Sequence, residues 1–261
     1  MLALIAGRGQ LPTLLASKAK PDRVLALDGF PPDTVVPDRT FRIEALGSVI
    51  ADLTKDGVER VVFAGAIGRP ALDPAQIDAA TLPLVPRMMG ALQAGDDAAL
   101  RIVLSFFEEA GLAVVGAQQI LPELLPAEGV LTAKAPQDAQ KADITRAQAV
   151  IKAMGDADIG QGTVVKAGQV LAVEGTFGTD WMLESLQARP DQGGGVFFKA
   201  PKPDQDRRID MPTIGPRTVR MAAEAGLDGI VIAAGGVFVL DVEACIAAAD
   251  EAGLFVEVTS V

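Results

Sequence analysis

Apolar runs alternating with helix-period stretches predict an α/β protein in two parts: a parallel-sheet domain over residues 1–130 and a mixed α/β domain over 144–261, joined by a linker at 131–143. Three observations carry that prediction. Short apolar runs ending in glycine alternate with amphipathic stretches through the first half. LTAKAPQDAQKAD (131–143) is polar and lacks a clear period. Beyond it, TVVKAGQVLAVEG reads as a hairpin of two short strands turning at Ala167-Gly168.

LALIAG (2–7) is the first strand, and LPTLLASKA the first helix, with Pro12 in its first turn. RVLALDG supplies a second strand and SVIADLTKDG a helix stopped by Gly57. VERVVFAGAIG is the third strand, DDAALRIVLSFFEEAG a long helix closed by Gly111, and LAVVGA the fourth strand. In the second part ITRAQAVIKAM is helical and the hairpin follows it. TDWMLESLQA is then a helix that Thr179 or Asp180 would cap. GVFFKA is a strand and PRTVRMAAEAG a helix between Pro216 and Gly226. IVIAA and VFVL are strands, CIAAADEAG a helix and LFVEV the last strand.

At 261 residues and 49% apolar content the chain has ample material for a core. The net charge is -11 and neither half is basic, which disfavours nucleic acid as a partner. Cys245 is the single cysteine and histidine is absent. That removes disulfides, cysteine zinc sites, Ser-His-Asp triads and imidazole-held metals. A metal would be held by oxygen, which points to Mg²⁺ or Mn²⁺. MLALIAGRGQLPTLL is too short and interrupted for a secretory signal, and no run is long enough to span a bilayer, so a soluble cytoplasmic protein is expected.

AGRGQLP (6–12) places bare backbone N–H groups and a helix start where a phosphate can sit. It is half a dinucleotide fingerprint, with Pro12 in place of the third glycine and Asp28 near the ribose-acid position. A tight strand–helix turn with no ligand explains the same residues, and a nicotinamide-dependent oxidoreductase is the enzyme it would otherwise suggest. Arg69, in AGAIGRP (64–70), is a candidate phosphate contact at a strand's carboxyl end. The acids of GDDAALR (95–101) suit helix capping. Glu174 and Asp180 lie among the glycines of VEGTFGTD. The densest mixture is KAPKPDQDRRIDMPTIGPRTV (199–219). Lys199, Lys202, Arg207 and Arg208 alternate there with Asp204, Asp206 and Asp210, braced by prolines and leading through Thr213 into a helix start. A solvated, self-neutralising loop is the ordinary fate of such a run. Cations for phosphate beside carboxylates for a divalent ion are also what phosphoryl chemistry needs. A shared diphosphate bound by the glycine turn and this segment is the reading these stretches suggest.

In order and spacing, AGRGQLP, GDDAALR, LPELLPAEGVLT, DIGQGTVVKAGQVLAVEGTFGTD and KAPKPDQDRRIDMPTIGPRTVRMAAEAGLDGI resemble the UDP-2,3-diacylglucosamine pyrophosphatases of the LpxI type, which act in lipid A biosynthesis in Gram-negative bacteria. The resemblance covers nearly the whole chain. It implies a Rossmann-like first domain, a second domain, and a lipid substrate held between them. It also implies divalent-cation-dependent hydrolysis to UMP and 2,3-diacylglucosamine 1-phosphate. Carried onto this sequence, it makes Asp210 the essential carboxylate, with Asp206 and Asp180 as catalytic partners. Asp210, Asp180 and Glu174 would hold Mg²⁺ or Mn²⁺. Lys199 and Lys202 would neutralise the diphosphate, Gly7, Gly9 and Gln10 would face the nucleotide, and Arg69 and Thr213 complete the substrate set. LPLVPRMMGALQ (82–93) would wall an acyl trough or pack the core. Weak peripheral contact with the inner membrane and a homodimer are further expectations, and a non-catalytic nucleotide-sugar or lipid binder is the remaining alternative. One departure stands out: by the resemblance, Ala233 in IVIAAGG occupies a position where members of the family tend to have glutamate.

Overall fold

Buried strands flanked by one-sided helices build two units in the computed structural model, which describes residues 1–68, 70–94, 96–202 and 205–261. The first unit comprises Met1–Pro122 with Asp206–Ile209, and the second Glu123–Gln205 with Asp210–Val261.

In the first unit β1 (Leu2–Ala6) is buried at every residue, as a central strand covered on both faces must be. It leads into α1 (Gln10–Ala19), β2 (Arg23–Leu27) and β3 (Arg39–Phe41). α2 (Leu46–Lys55) buries Leu46, Val49, Ile50 and Leu53, the i, i+3, i+4, i+7 stripe of an amphipathic helix. β4 (Arg60–Ala64), α3 (Val85–Ala94), α4 (Asp96–Glu109), β5 (Ala113–Val115) and α5 (Ala117–Ile120) follow. Among the described residues the strands form one parallel sheet in the order β3-β2-β1-β4-β5. This is the doubly wound order, with its switch between β1 and β4.

The expected lipid wall divides between two environments: Met88 packs into the core, whereas Met89 and Leu82 are exposed. α3 is clamped to α4 by Arg87, which donates to both oxygens of Glu109 at 2.7 and 2.8 Å and lies 4.8 Å from the Phe106 ring centre. The excursion 206–209 belongs to this unit through Ile209, which packs on its core, and Arg208, which pairs with Glu108.

The second unit starts with β6 (Gly129–Val130), α6 (Asp138–Asp156), β7 (Gly162–Lys166), β8 (Gln169–Val173) and α7 (Gly178–Ser185). Next come β9 (Val196–Lys199), β10 (Thr213–Ile214), α8 (Pro216–Glu224), β11 (Gly229–Ala233), β12 (Phe238–Val239), α9 (Val242–Ala252) and β13 (Phe255–Thr259). Its larger sheet has the order β6-β13-β11-β9-β7-β8, and β10 and β12 form a parallel pair. β9, β11 and β13 are parallel, while β7 runs antiparallel to both β8 and β9, and β6 antiparallel to β13. The hairpin turns at Ala167-Gly168, both at positive φ. Buried Asp143 accepts their two backbone N–H groups at 3.0 and 2.7 Å.

Two local expectations need correction. The segment 131–143 is not all linker: the Leu131 N–H donates to the Val256 carbonyl in β13 at 2.8 Å, and α6 begins at Asp138. The first turns of α6 are polar because its buried stripe, Asp143, Ile144, Ala147, Ile151 and Met154, starts only at its sixth residue. Nor do Thr179 or Asp180 cap α7, which begins at Gly178 while both side chains bond elsewhere.

Candidate active site

Parallel strands in open α/β sheets present ligands at their carboxyl ends, and in the second unit Lys199 ends β9 there. Its side chain is 5% exposed and pairs with Glu174, itself 13% exposed. The ammonium donates to Glu174 Oε2 at 3.0 Å, to Oε1 at 3.3 Å and to Thr179 Oγ1 at 2.5 Å. An ammonium has three protons to give. Lys199 has spent them inside the protein.

The chain beyond Lys199 is organised by Gln205, a residue the sequence reading passed over. Its Oε1 accepts from Gln161 Nε2 at 2.6 Å and from the Lys202 backbone at 3.1 Å. Those two bonds turn its Nε2 toward Asp210, where it donates to Oδ2 at 2.6 Å. Asp210 is exposed and, among the described residues, takes part in no salt bridge. The other acids of the expected set are each held by a protein cation: Glu174 by Lys199, Asp180 by Arg217 at 3.1 Å, and Asp206 by Arg208 at 2.7 Å. Lys202 is a third exposed at 34% and gives one proton to exposed Asp158, so it keeps donors for a phosphate.

Thr213, in β10, donates its hydroxyl to the Met211 carbonyl at 3.2 Å. Ala233 ends β11 and is buried, so that position offers a methyl and no ligand oxygen.

In the first unit Gly7 is buried and its N–H is used by the Ala64 carbonyl at 2.8 Å. A Cβ there would lie 2.6 Å from the Ala66 oxygen. Arg8 and Ala66 then exchange both backbone bonds, at 3.0 and 2.8 Å. β1 and β4 are thus stitched together where a Rossmann crevice would receive a dinucleotide. This explains why Gly7 is glycine without any ligand. Gly9 gives its N–H to Asp33 at 2.9 Å, and Arg8 lies over the Phe30 ring at 5.9 Å and donates to the Gly29 carbonyl at 3.3 Å. Gln10 is exposed at the head of α1.

Asp206 is also in this unit. Arg208 donates to both its oxygens through Nε and Nη2, at 2.7 to 3.2 Å, and holds its carboxyl below the usual carboxylate range. The reciprocal bond and the Glu108 contact raise the Arg208 guanidinium above its ordinary value. Arg69, Gly95 and Asp204, and the side chains of Asp96 and Asp97, lie outside the described residues.

No three acidic or thiol groups among the described residues converge into a cation cage. Glu174 and Asp180, which the resemblance makes metal ligands, are each engaged by a cation of the protein, Lys199 and Arg217. Asp210 does fit such a role: Mg²⁺ is commonly bound by one or two carboxylates together with substrate phosphates, and Asp210 is exposed with no cation of the described residues on it.

Residues 1–124 match the LpxI N-terminal domain and residues 127–257 the LpxI C-terminal domain. The UDP-2,3-diacylglucosamine pyrophosphatase LpxI of Caulobacter vibrioides is 41% identical over 268 residues, covering 98% of this chain and 96% of that protein. The likeness runs through both units, including the glycine turn and the charged segment. The chain belongs to the LpxI family.

Proposed function

We propose that this protein hydrolyses the pyrophosphate bond of UDP-2,3-diacylglucosamine, giving UMP and 2,3-diacylglucosamine 1-phosphate for lipid A biosynthesis. The full-length identity to the Caulobacter protein of that name carries the proposal. The freedom of Asp210 from any salt bridge among the described residues supports its chemical part.

In the reaction, water forms a bond to phosphorus on the sugar side and the anhydride P–O bond breaks, with UMP leaving. Asp210 takes the proton from that water. Gln205 donates to Oδ2 of Asp210 and holds the carboxylate in place. Lys202 supplies positive charge to the diphosphate, exchanging its bond to exposed Asp158 for one to phosphate oxygen. A divalent cation held by Asp210 and the diphosphate would neutralise charge on the reacting phosphoryl group. Of the nucleotide set in the first unit, Gly9 and Gln10 are exposed, and the Gly9 N–H is taken by Asp33.

Among the described residues no helix is long and apolar enough to cross a membrane. The proposed substrate's acyl chains would bring the protein to the cytoplasmic face of the inner membrane by weak peripheral contact. The stitched β1–β4 switch speaks against the oxidoreductase reading, because the crevice that reading needs is filled by backbone.

The test is release of UMP from UDP-2,3-diacylglucosamine by the purified protein, with and without EDTA. UMP release stopped by EDTA and restored by Mg²⁺ supports both the reaction and the cation. Binding of the substrate without UMP release favours the non-catalytic binder.

A further inference from the structure

Three positions line up across the edge of the second sheet, two in strands and one just past β8. Gly162 is the register partner of Lys199 between β7 and β9. On its other side the Glu174 N–H donates to the Gly162 carbonyl at 2.7 Å, just past the Thr163–Val173 pair of β7 and β8. The row is therefore Glu174, Gly162, Lys199, with the missing side chain in the middle. That gap lets the Glu174 carboxylate cross to the ammonium, because a Cβ on Gly162 would sit 2.5 Å from Glu174 Oε2. Gly160 clears the other side, where a Cβ would be 1.9 Å from the Glu174 carbonyl oxygen. The third partner, Thr179, is the second residue of α7, directly before Asp180.

We infer that Glu174, Lys199 and Thr179 form a positioning cluster that fixes the loop 174–179 and the first turn of α7, and with it Asp180, at the carboxyl end of β9. Glu174 is then not a cation ligand, and Lys199 is not a phosphate contact. Each carboxylate oxygen of Glu174 already accepts from the ammonium, and the ammonium's three bonds all stay within the cluster, in a site nearly closed to water. Removing one charge leaves the other buried and uncompensated, whereas removing both together costs much less. Positioning for catalysis rests on the pyrophosphatase reading, while anchoring of α7 does not.

The chain's single tryptophan, Trp181, lies two residues beyond Thr179 and packs on Phe177 with ring centres 5.3 Å apart. Its fluorescence anisotropy reports on the start of α7 independently of activity. Thr179→Val, Glu174→Gln and Lys199→Met are each expected to lower Trp181 anisotropy, and Thr179→Ser to keep it. The Glu174→Gln/Lys199→Met double variant should lose no more than the worse single one. In UMP release, Thr179→Val should lower kcat about tenfold with KM held within about twofold, and Thr179→Ser should restore kcat.

Three results overturn the inference. One is unchanged anisotropy in all three single variants. Another is Glu174→Gln weakening Mn²⁺ binding about tenfold while Trp181 is unaffected. The third is Lys199→Met raising KM with kcat intact, which is the mark of a substrate contact. A wild-type protein that releases no UMP removes the pyrophosphatase reading instead, and leaves the anisotropy comparison to decide the anchoring.

Discussion

Gly162 and Lys199 face each other across β7 and β9, and the empty position at Gly162 is what admits Glu174 to the lysine. A methyl at 162 would also meet Phe197 Cε2 at 2.9 Å, and Phe197 is fully buried. Gly162→Ala is therefore expected to cost about 1–3 kcal/mol, as overpacking of a filled interior does. Urea unfolding should show a lower midpoint with an unchanged slope. A midpoint equal to wild type would mean that the Glu174–Lys199 contact is not tightly packed.

Asp206 braces Arg208, which ties the excursion 206–209 to the rest of the first unit through Glu108. The folded-state pKa of Asp206 is depressed, chiefly by its side-chain bond to Arg208. The stabilisation is therefore fully present above the unfolded aspartate value of about 3.9, and is lost as pH falls through the lower folded value. Asp206→Asn should cost about 1–2 kcal/mol near neutrality, allowing for the part-exposed guanidinium. The gap from wild type should close as pH drops below about 4. Thermal unfolding of both proteins between pH 7 and pH 3 measures it, and a gap independent of pH would contradict the pairing.

Cys245 is buried, donates to the Leu240 carbonyl at 3.3 Å, and has its thiol pushed up to about 12, chiefly by burial. The thiolate is the reactive form, so native protein at pH 8 should resist a disulfide reagent and react promptly in guanidinium. Labelling at the rate of a free thiol in native protein would show that α9 opens readily.

The sequence disclosed the fold wherever one residue pattern had one physical cause. LALIA and VFFK are buried on every side, and their unbroken apolar character marks them as central strands. Ala167-Gly168 shows a hairpin because its turn needs two positive φ angles. The start of α6 was hidden because its first turns face water, and β3, β6 and β10 were hidden because two or three residues carry no period.

At the site, the sequence singled out charged residues but not their partners. Lys199, Glu174 and Asp180 were recognisable as charges out of the ordinary, yet a sequence cannot show that Lys199 meets Glu174 across strands or that Asp180 meets Arg217. The glycines of DIGQGT were the overlooked signal, since they mark where Glu174 needs room. Gln205 was obscured by the charges around it, although its amide is what aims Asp210.

The central claim is that Asp210 is the carboxylate through which this protein cleaves UDP-2,3-diacylglucosamine. Single-turnover UMP release by wild type, Asp210→Asn and Asp210→Ala tests it most directly. The expected result is turnover by wild type and a loss of at least about a hundredfold in both variants, with folding preserved because Asp210 is exposed. Full activity in either variant would contradict the assignment.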